Sequence, residues 1–191
     1  KFEEYLEKYP QGYHAKKAVN YLADAYYEID NLEQSIKYYE RILSEPTTNY
    51  TELAAVRTAR YYYNNKEYAK AIPSYERSEH VSADPEIVFN AQQGLMRSHF
   101  QIKDYSPAAA YANRVLASNL IKTEGKLEAQ YIAGVSNYQI KNYQEAITAL
   151  TFVSKNTTQS TASEAKWTIA KIYFDQDKLQ EADYTAKEVL K

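Results

Sequence analysis

The sequence has no cysteine, few glycines and prolines, and no long apolar run. Without cysteine, its 191 residues can form neither disulfides nor a thiol nucleophile. The four glycines and five prolines are too few for the many turns of a β-sandwich or β-barrel. Mean hydropathy is −0.68, and no stretch approaches the roughly 18 apolar residues that a membrane span needs. The net charge of −2 gives no basic field, so we expect neither nucleic acid nor a membrane surface as partner.

The residues that usually carry catalysis form no recognisable constellation. His14, His80 and His99 are not spaced as metal ligands, and His99 is expected to be a buried core histidine. The glycines are too scattered for a phosphate-binding loop, and the acidic residues are spread as on solvated helix surfaces. We therefore expect no enzyme, no cofactor and no metal ion.

What the chain has in abundance is tyrosine, with 21 residues, and a repeat. A small residue recurs every 36 to 38 positions, and a second small residue, or methionine in one case, precedes it by twelve. Around each pair the pattern is apolar helix, polar turn, apolar helix, which predicts a stacked array of helix pairs. The recurring small residues, which we call the anchors, are Ser35, Ala71, Ala108, Ala146 and Ala182. The residues twelve positions before them are Ala23, Ala59, Met96, Gly134 and Ala170.

Local signals mark the turns and the helix starts. Capping patterns predict three helix starts. Two of them begin second helices, at Asn31 with Gln34 and at Asn142 with Glu145, and one begins a first helix, at Thr161 with Glu164. Asp84 followed by Pro85 predicts a further helix start. The predicted turns within the helix pairs are Asp30–Asn31, Lys66–Glu67, Lys103–Asp104, Lys141–Asn142 and Asp177–Lys178.

These units resemble the tetratricopeptide repeat. The family's alternation of apolar, small and aromatic residues is carried by Leu22, Ala23, Tyr26, Ser35, Tyr39 and again by Ile169, Ala170, Tyr173, Ala182. The resemblance implies an all-α, right-handed α-solenoid of antiparallel helix pairs that serves as a non-enzymatic protein-interaction scaffold. The spacing exceeds the family's usual 34 residues, which predicts elongated helices. The predicted division is a second helix of a preceding repeat at 1–12, then one continuous array over 13–191 with repeats at about 16–49, 52–85, 89–122, 127–160 and 163–191.

The opening residues, including Phe2, Tyr5, Leu6, Tyr9 and Pro10, are similar to repeats of bacterial cell-envelope proteins. These are the outer-membrane assembly lipoproteins and the Tol-Pal accessory protein. The resemblance implies a periplasmic or outer-membrane-associated location. The composition alone is equally compatible with a cytoplasmic location. The chain starts at Lys1 and shows no capping helix, so we expect it to be part of something longer.

An aromatic residue stands eight positions before every anchor, at the end of each first helix. Residues three and seven positions earlier share its helix face, which is rotated away from the core. In the resembled family this face lines the concave groove that holds ligands, and aromatic and arginine side chains are favoured at interfaces. The residues predicted to bind a peptide or protein partner are Tyr27, Arg60, Tyr63, Arg97, Phe100, Tyr131, Tyr138, Trp167, Lys171 and Phe174.

Three alternatives stay open from the sequence. The aromatic residues could pack helix against helix, and the arginines could form ordinary surface ion pairs. A platform of Tyr131, Tyr138, Trp167 and Phe174 could instead stack on sugar rings, with Gln139 and Asp175 binding hydroxyls. The chain could also be the regulatory arm of a larger enzyme or sensor. The identity of the partner does not follow from the sequence.

Overall fold

The computed structural model describes residues 1–157 and 160–189. This part of the chain folds into α-helices joined by short turns and contains no strand, so the predicted all-α solenoid of antiparallel helix pairs is confirmed. The helices are α1 (Phe2–Lys8), α2 (Ala15–Glu28), α3 (Leu32–Leu43), α4 (Thr51–Asn64), α5 (Tyr68–Val81), α6 (Pro85–Gln101), α7 (Tyr105–Ala117), α8 (Thr123–Gln139), α9 (Tyr143–Asn156), α10 (Ser160–Asp175) and α11 (Leu179–Val189).

The chain forms two compact units, residues 1–94 (unit 1) and residues 95–191 (unit 2). In unit 1, α2 packs on α3 and α4 on α5; in unit 2, α8 packs on α9 and α10 on α11. The buried side chains recur at helical spacing, which gives each helix one apolar face. One core cluster of unit 1 is built around Val19, Leu22, Ile36, Tyr39 and Ile42, and one of unit 2 around Leu150, Val153, Ile169 and Ile172.

In two helix pairs the repeated small residues lie in direct contact between the helices. The hydroxyl of Ser35 donates to the carbonyl oxygen of Ala23 at 2.8 Å, so the first anchor touches the small residue twelve positions before it. A Cβ atom added to Gly134 would lie 2.5 Å from Cγ of Leu150, closer than two carbon atoms can approach. In these two pairs a larger side chain at the small position would overpack the contact between the helices.

Each helix pair is joined by the same turn. Its central residue adopts the left-handed conformation with φ between 58° and 64°, although none of the five is a glycine. In the second pair, Lys66 N–H donates to the Tyr63 carbonyl at 3.0 Å and Glu67 N–H to the Tyr62 carbonyl at 2.8 Å, the pattern of a Schellman motif. The corresponding bonds form in the other four turns, whose central residues are Asp30, Lys103, Lys141 and Asp177.

Two predicted helix starts are confirmed. Asn31 Oδ1 accepts from Gln34 N–H at 3.4 Å before α3, and Asp84 Oδ1 accepts from Glu86 N–H at 2.8 Å before α6. Asn142 stands at the N-cap of α9, but its side chain makes no cap bond and instead donates to Asn137 Oδ1 at 3.2 Å.

The capping box predicted at Thr161 is wrong. The helix α10 already begins at Ser160, so Thr161 lies inside it, and Glu164 accepts a tyrosine hydroxyl instead. The division into repeats stays a prediction, and the ranges 127–160 and 163–191 include residues outside the described part. Within that part, no helix combines the length and the apolar character needed to cross a membrane.

Candidate functional site

All ten predicted site residues lie on the first helices of the pairs. We call the side of the first helices that carries them the first-helix face, and describe this face separately for each of the two units. In unit 1 it carries Tyr27 on α2, with Arg60 and Tyr63 on α4. In unit 2 it carries Arg97 and Phe100 on α6, Tyr131 and Tyr138 on α8, and Trp167, Lys171 and Phe174 on α10.

Most of the repeated aromatic rings serve packing. The shared turn brings the last turn of a first helix beside the first residue of its second helix, five positions on. Three ring pairs have this spacing, and their centroids lie 5.3, 6.3 and 6.4 Å apart: Tyr63 with Tyr68, Phe100 with Tyr105, and Tyr138 with Tyr143. Such ring contacts stabilise the pair and hold the aromatic side chains in fixed positions.

A polar network ties α2 to α4 in unit 1. The carboxylate of Asp24 accepts from the Tyr39 hydroxyl at 2.7 Å, from Arg57 Nη1 at 2.9 Å and from Asn20 Nδ2 at 3.3 Å. Arg57 also donates to the Tyr39 hydroxyl and lies 3.8 Å above the Tyr27 ring. Burial, followed by the hydrogen bond to Asp24, raises the pKa of Tyr39 to about 12.

Sequence reasoning missed Arg57, although a signal was present. The position three residues before the repeated aromatic carries a cation in three of the five units, but Asp24 in the first. A half-buried carboxylate at that position needs a cation from elsewhere, because burial of an unpaired charge is costly. Arg57 on the neighbouring first helix supplies it.

Arg60 borders a small, partly open cavity of about 30 Å³ between α4, α5 and α6 in unit 1. The cavity has apolar walls and three further polar groups, on Tyr75, Ser78 and Asn90. Among the described residues, no side chain or backbone group forms a hydrogen bond or ion pair with Arg60. The lining residues are Val56, Arg60, Tyr75, Ser78, Ile87, Asn90 and Ala91.

Arg97 in unit 2 forms an ion pair with another side chain of the protein. Its Nε and Nη2 donate to the two carboxylate oxygens of Glu128 at 2.7 and 2.5 Å, which links α6 to α8. Phe100 and Tyr131 continue this link with an edge-to-face contact at 6.5 Å between centroids. The ion pair of Arg97 is thus the arrangement that the sequence left open as an alternative to ligand binding.

The tyrosine hydroxyls of this face also have internal partners. Tyr131 donates to Glu164 Oε2 at 2.9 Å and Tyr138 to Asp175 Oδ2 at 3.0 Å, both from α8 to α10. Burial and the bond to Glu164 raise the pKa of Tyr131 to about 12, and burial and the bond to Asp175 raise the pKa of Tyr138. Lys171 lies 6.0 Å from the centre of the Tyr138 ring.

Trp167 and Phe174 are more exposed than the other aromatic site residues. Trp167 is 51% exposed and Phe174 64% exposed, whereas Tyr63, Phe100, Tyr131 and Tyr138 are half-buried. With Lys171 they stand at positions i, i+4 and i+7 of α10, so the three side chains share one side of that helix. This side of α10 is the most exposed aromatic part of the first-helix face in unit 2.

The histidine that replaces a core aromatic is buried, as expected. His99 is 7% exposed, stacks on Tyr111 with centroids 5.9 Å apart, and has Nδ1 3.1 Å from Asp104 Oδ2. In the described residues no group of three histidine, aspartate or glutamate side chains is arranged to hold a metal ion.

Helix pairs with one repeated turn and a repeated small-residue contact define an α-solenoid repeat protein. Family models for the tetratricopeptide repeat match residues 21–48 and 95–151. The chain therefore contains tetratricopeptide repeats over these residues, and the resemblance seen in the sequence is confirmed. No curated protein matches the chain at a significant level.

Solved structures show the same fold at low sequence identity. YrrB, described as a tetratricopeptide-repeat protein with an unusual peptide-binding site, is 14% identical with a TM-score of 0.67; the match covers 99% of this chain and 90% of YrrB. A MamA structure is 17% identical with a TM-score of 0.64, and the match covers 93% of this chain and 91% of MamA. At these identities the likeness concerns the fold alone.

Proposed function

We propose that this protein is a non-enzymatic scaffold that holds a peptide or protein partner on its first-helix faces. The observation that carries the proposal is the exposure of Trp167 and Phe174 beside Lys171 on one side of α10. Large aromatic side chains with a neighbouring cation are typical of binding hot spots, since they bury much area at a small entropy cost. YrrB, which has a similar fold, is described as having a peptide-binding site, and this supports a peptide as the class of partner.

The half-buried site residues would have a different role from the exposed ones. Ring contacts with the second helices hold the side chains of Tyr63, Phe100 and Tyr138 in place. The ion pair with Glu128 does the same for Arg97. A surface fixed in this way loses little conformational freedom when a partner binds, which favours affinity. We therefore assign these residues mainly to holding the face rigid, with their exposed edges as contact area.

The proposal is tested by selecting binders from a displayed peptide library and measuring their affinity by fluorescence anisotropy. We expect Trp167→Ala and Phe174→Ala each to weaken binding about tenfold or more, the effect of losing a hot-spot aromatic. The matched control is Tyr184→Ala, because Tyr184 is 69% exposed but lies on the second helix α11. Melting temperatures show whether each variant keeps its fold.

Equal binding by all three variants would mean that the partner binds elsewhere, and would contradict the proposal.

The carbohydrate alternative is tested with the same protein by tryptophan fluorescence, because Trp167 is the lone tryptophan. If glycans from a panel quench this fluorescence and the protein selects no peptide, the function would be that of a carbohydrate-binding module and not of a peptide scaffold. The opening residues support a bacterial envelope setting, which fractionation of the native protein between periplasm and cytoplasm tests.

A further inference from the structure

Two arginines at equivalent repeat positions have different neighbours. Arg60 and Arg97 each stand three residues before the aromatic that ends their first helix. On the next first helix, the position ten residues before its aromatic is Asn90 in α6 and Glu128 in α8. Arg97 binds Glu128 through two hydrogen bonds, whereas Arg60 and Asn90 line one cavity without such a pair. The carboxylate that neutralises Arg97 is thus replaced by a neutral amide beside Arg60.

The cavity beside Arg60 has the composition of a carboxylate subsite. The guanidinium has several N–H donors and, in the part of the chain that the structure describes, no acceptor for them. The amide of Asn90, on the facing helix, adds a further donor. Val56, Ile87 and Ala91 provide apolar walls that an aliphatic side chain beside the carboxylate can contact.

We infer that Arg60, at the mouth of this cavity, binds the side-chain carboxylate of an aspartate or glutamate in the partner, while an adjoining aliphatic side chain of the partner packs on the cavity rim. The inference rests on the proposed scaffold function and names the chemistry of its partner. The partner's carboxylate would bind Arg60 as Glu128 binds Arg97, and the aliphatic group would contact Val56 and Ile87. An arginine fork fits a carboxylate in two-point geometry, which a lysine does not.

The carboxylate belongs to the interior of the partner chain. On α4 the open surface continues on both sides of Arg60, to Leu53, which is 42% exposed, and to the half-buried Tyr63. A bound segment can therefore run past Arg60 in both directions, with contact area on each side. A chain that ended at Arg60 would leave half of this surface uncovered.

The test uses three synthetic hexapeptide libraries with random flanking residues. The first is acetylated and amidated with a central Glu-Leu pair, the second has Gln-Leu instead, and the third is the Gln-Leu library with a free C-terminal carboxylate. We expect the wild-type chain to bind the Glu-Leu library about tenfold more tightly than the amidated Gln-Leu library, the size of one charge-assisted hydrogen-bond pair. The preference should shrink as salt is added.

Two variants remove the subsite in opposite ways. Arg60→Gln removes the cation, and Asn90→Glu supplies an internal carboxylate that copies the pair of Arg97 with Glu128. Both should lose the preference for Glu-Leu peptides. Asn90→Gln is the matched control, since it lengthens the same exposed side chain without adding charge, and it should keep the preference. Because Arg60 and Asn90 are both exposed, the variants should melt close to the wild type.

The outcomes separate this inference from the scaffold proposal. Equal binding of the amidated Glu-Leu and Gln-Leu libraries, or a preference that survives in Asn90→Glu, overturns the carboxylate subsite and leaves peptide binding standing. Tight binding of the free-acid library alone also overturns it, because Arg60 would then bind a chain terminus. Failure to bind any of the three libraries, or any peptide from the displayed selection, would reject both.

Discussion

Arg97 and Glu128 form a two-point ion pair, with hydrogen bonds of 2.7 Å from Nε and 2.5 Å from Nη2. The pair joins α6 to α8 in unit 2, and both side chains are about one-third exposed. Two parallel hydrogen bonds fix the guanidinium more firmly than a single contact does, because both partners are planar. The interaction should therefore be measurable, although an ordinary surface ion pair contributes little.

Glu128→Gln should lower the free energy of unfolding by about 1 kcal/mol, at the upper end for exposed pairs because the geometry is bidentate. The loss should decrease in about 1 M salt, where the pair is screened. Urea denaturation at low and high salt measures both effects. Glu33→Gln is the control, because Glu33 makes only an i,i+4 pair with Lys37 at 3.2 Å. Equal losses for the two variants would contradict a special contribution from Arg97.

Gly134→Ala should destabilise the protein, because the new Cβ would lie 2.5 Å from Cγ of the buried Leu150. Overpacking of this kind costs about 1–3 kcal/mol, and only part is offset by the higher helix propensity of alanine, roughly 1 kcal/mol. Gly125→Ala, in the first turns of the same helix, should be neutral or stabilising. Thermal melting of both variants decides the point, and a Gly134→Ala protein as stable as wild type would show that α8 and α9 can separate freely.

Lys141→Gly should raise stability, because Lys141 holds φ at 64° in the turn before α9. A side chain in the left-handed region costs about 1 kcal/mol or more, and glycine removes that cost. The same substitution inside a helix should act oppositely: Lys37→Gly in α3 should lose about 1 kcal/mol of helix propensity. Paired chemical denaturation curves test the sign. A loss at Lys141 would mean that the lysine makes a stabilising contact there.

Tyr131→Phe should flatten the fall in stability at high pH. The folded-state pKa of Tyr131 is raised to about 12 by burial and by the bond to Glu164, while an unfolded tyrosine titrates near its usual pKa of about 10. The protonated form is therefore favoured in the folded protein, and its contribution is complete below about pH 10 and lost as the pH rises toward 12. Unfolding free energies across this window, compared between wild type and variant, show the effect. Parallel curves would contradict it.

Much of the fold follows from sequence patterns that are local. The turn at Asp30–Asn31, for example, depends on residues within a few positions of one another, and the small pair Ala23 and Ser35 lies within one helix pair. Such features are fixed by helix geometry and appear in the spacing of residues. The capping box at Thr161 failed because Ser160 had already begun the helix, and the exact start of a helix is among the least reliable local signals.

The candidate site could be predicted only in part. The position of Tyr131 or Tyr138 on the first-helix face follows from periodicity, but the carboxylates that accept their hydroxyl hydrogen bonds lie on another helix. The bonds of Asp24 to Arg57, Arg97 to Glu128 and Tyr131 to Glu164 span 33, 31 and 33 residues. Which of several nearby acids or cations is chosen depends on helix packing and side-chain conformation, and a residue pattern does not contain that choice.

The shared left-handed turn also constrains how this chain can change in length. The distances between successive turn centres range from 36 to 38 residues, yet the turn itself is identical each time. The variation in length lies away from the turn: the first helices α2 and α4 have 14 residues and α6 and α8 have 17, while the second helices α3, α5, α7 and α9 have 12 to 14. Changes in length are therefore expected away from the turns, at the far ends of the helices and in the segments that join one pair to the next, so an engineered loop should be accepted between α7 and α8 but not between α8 and α9.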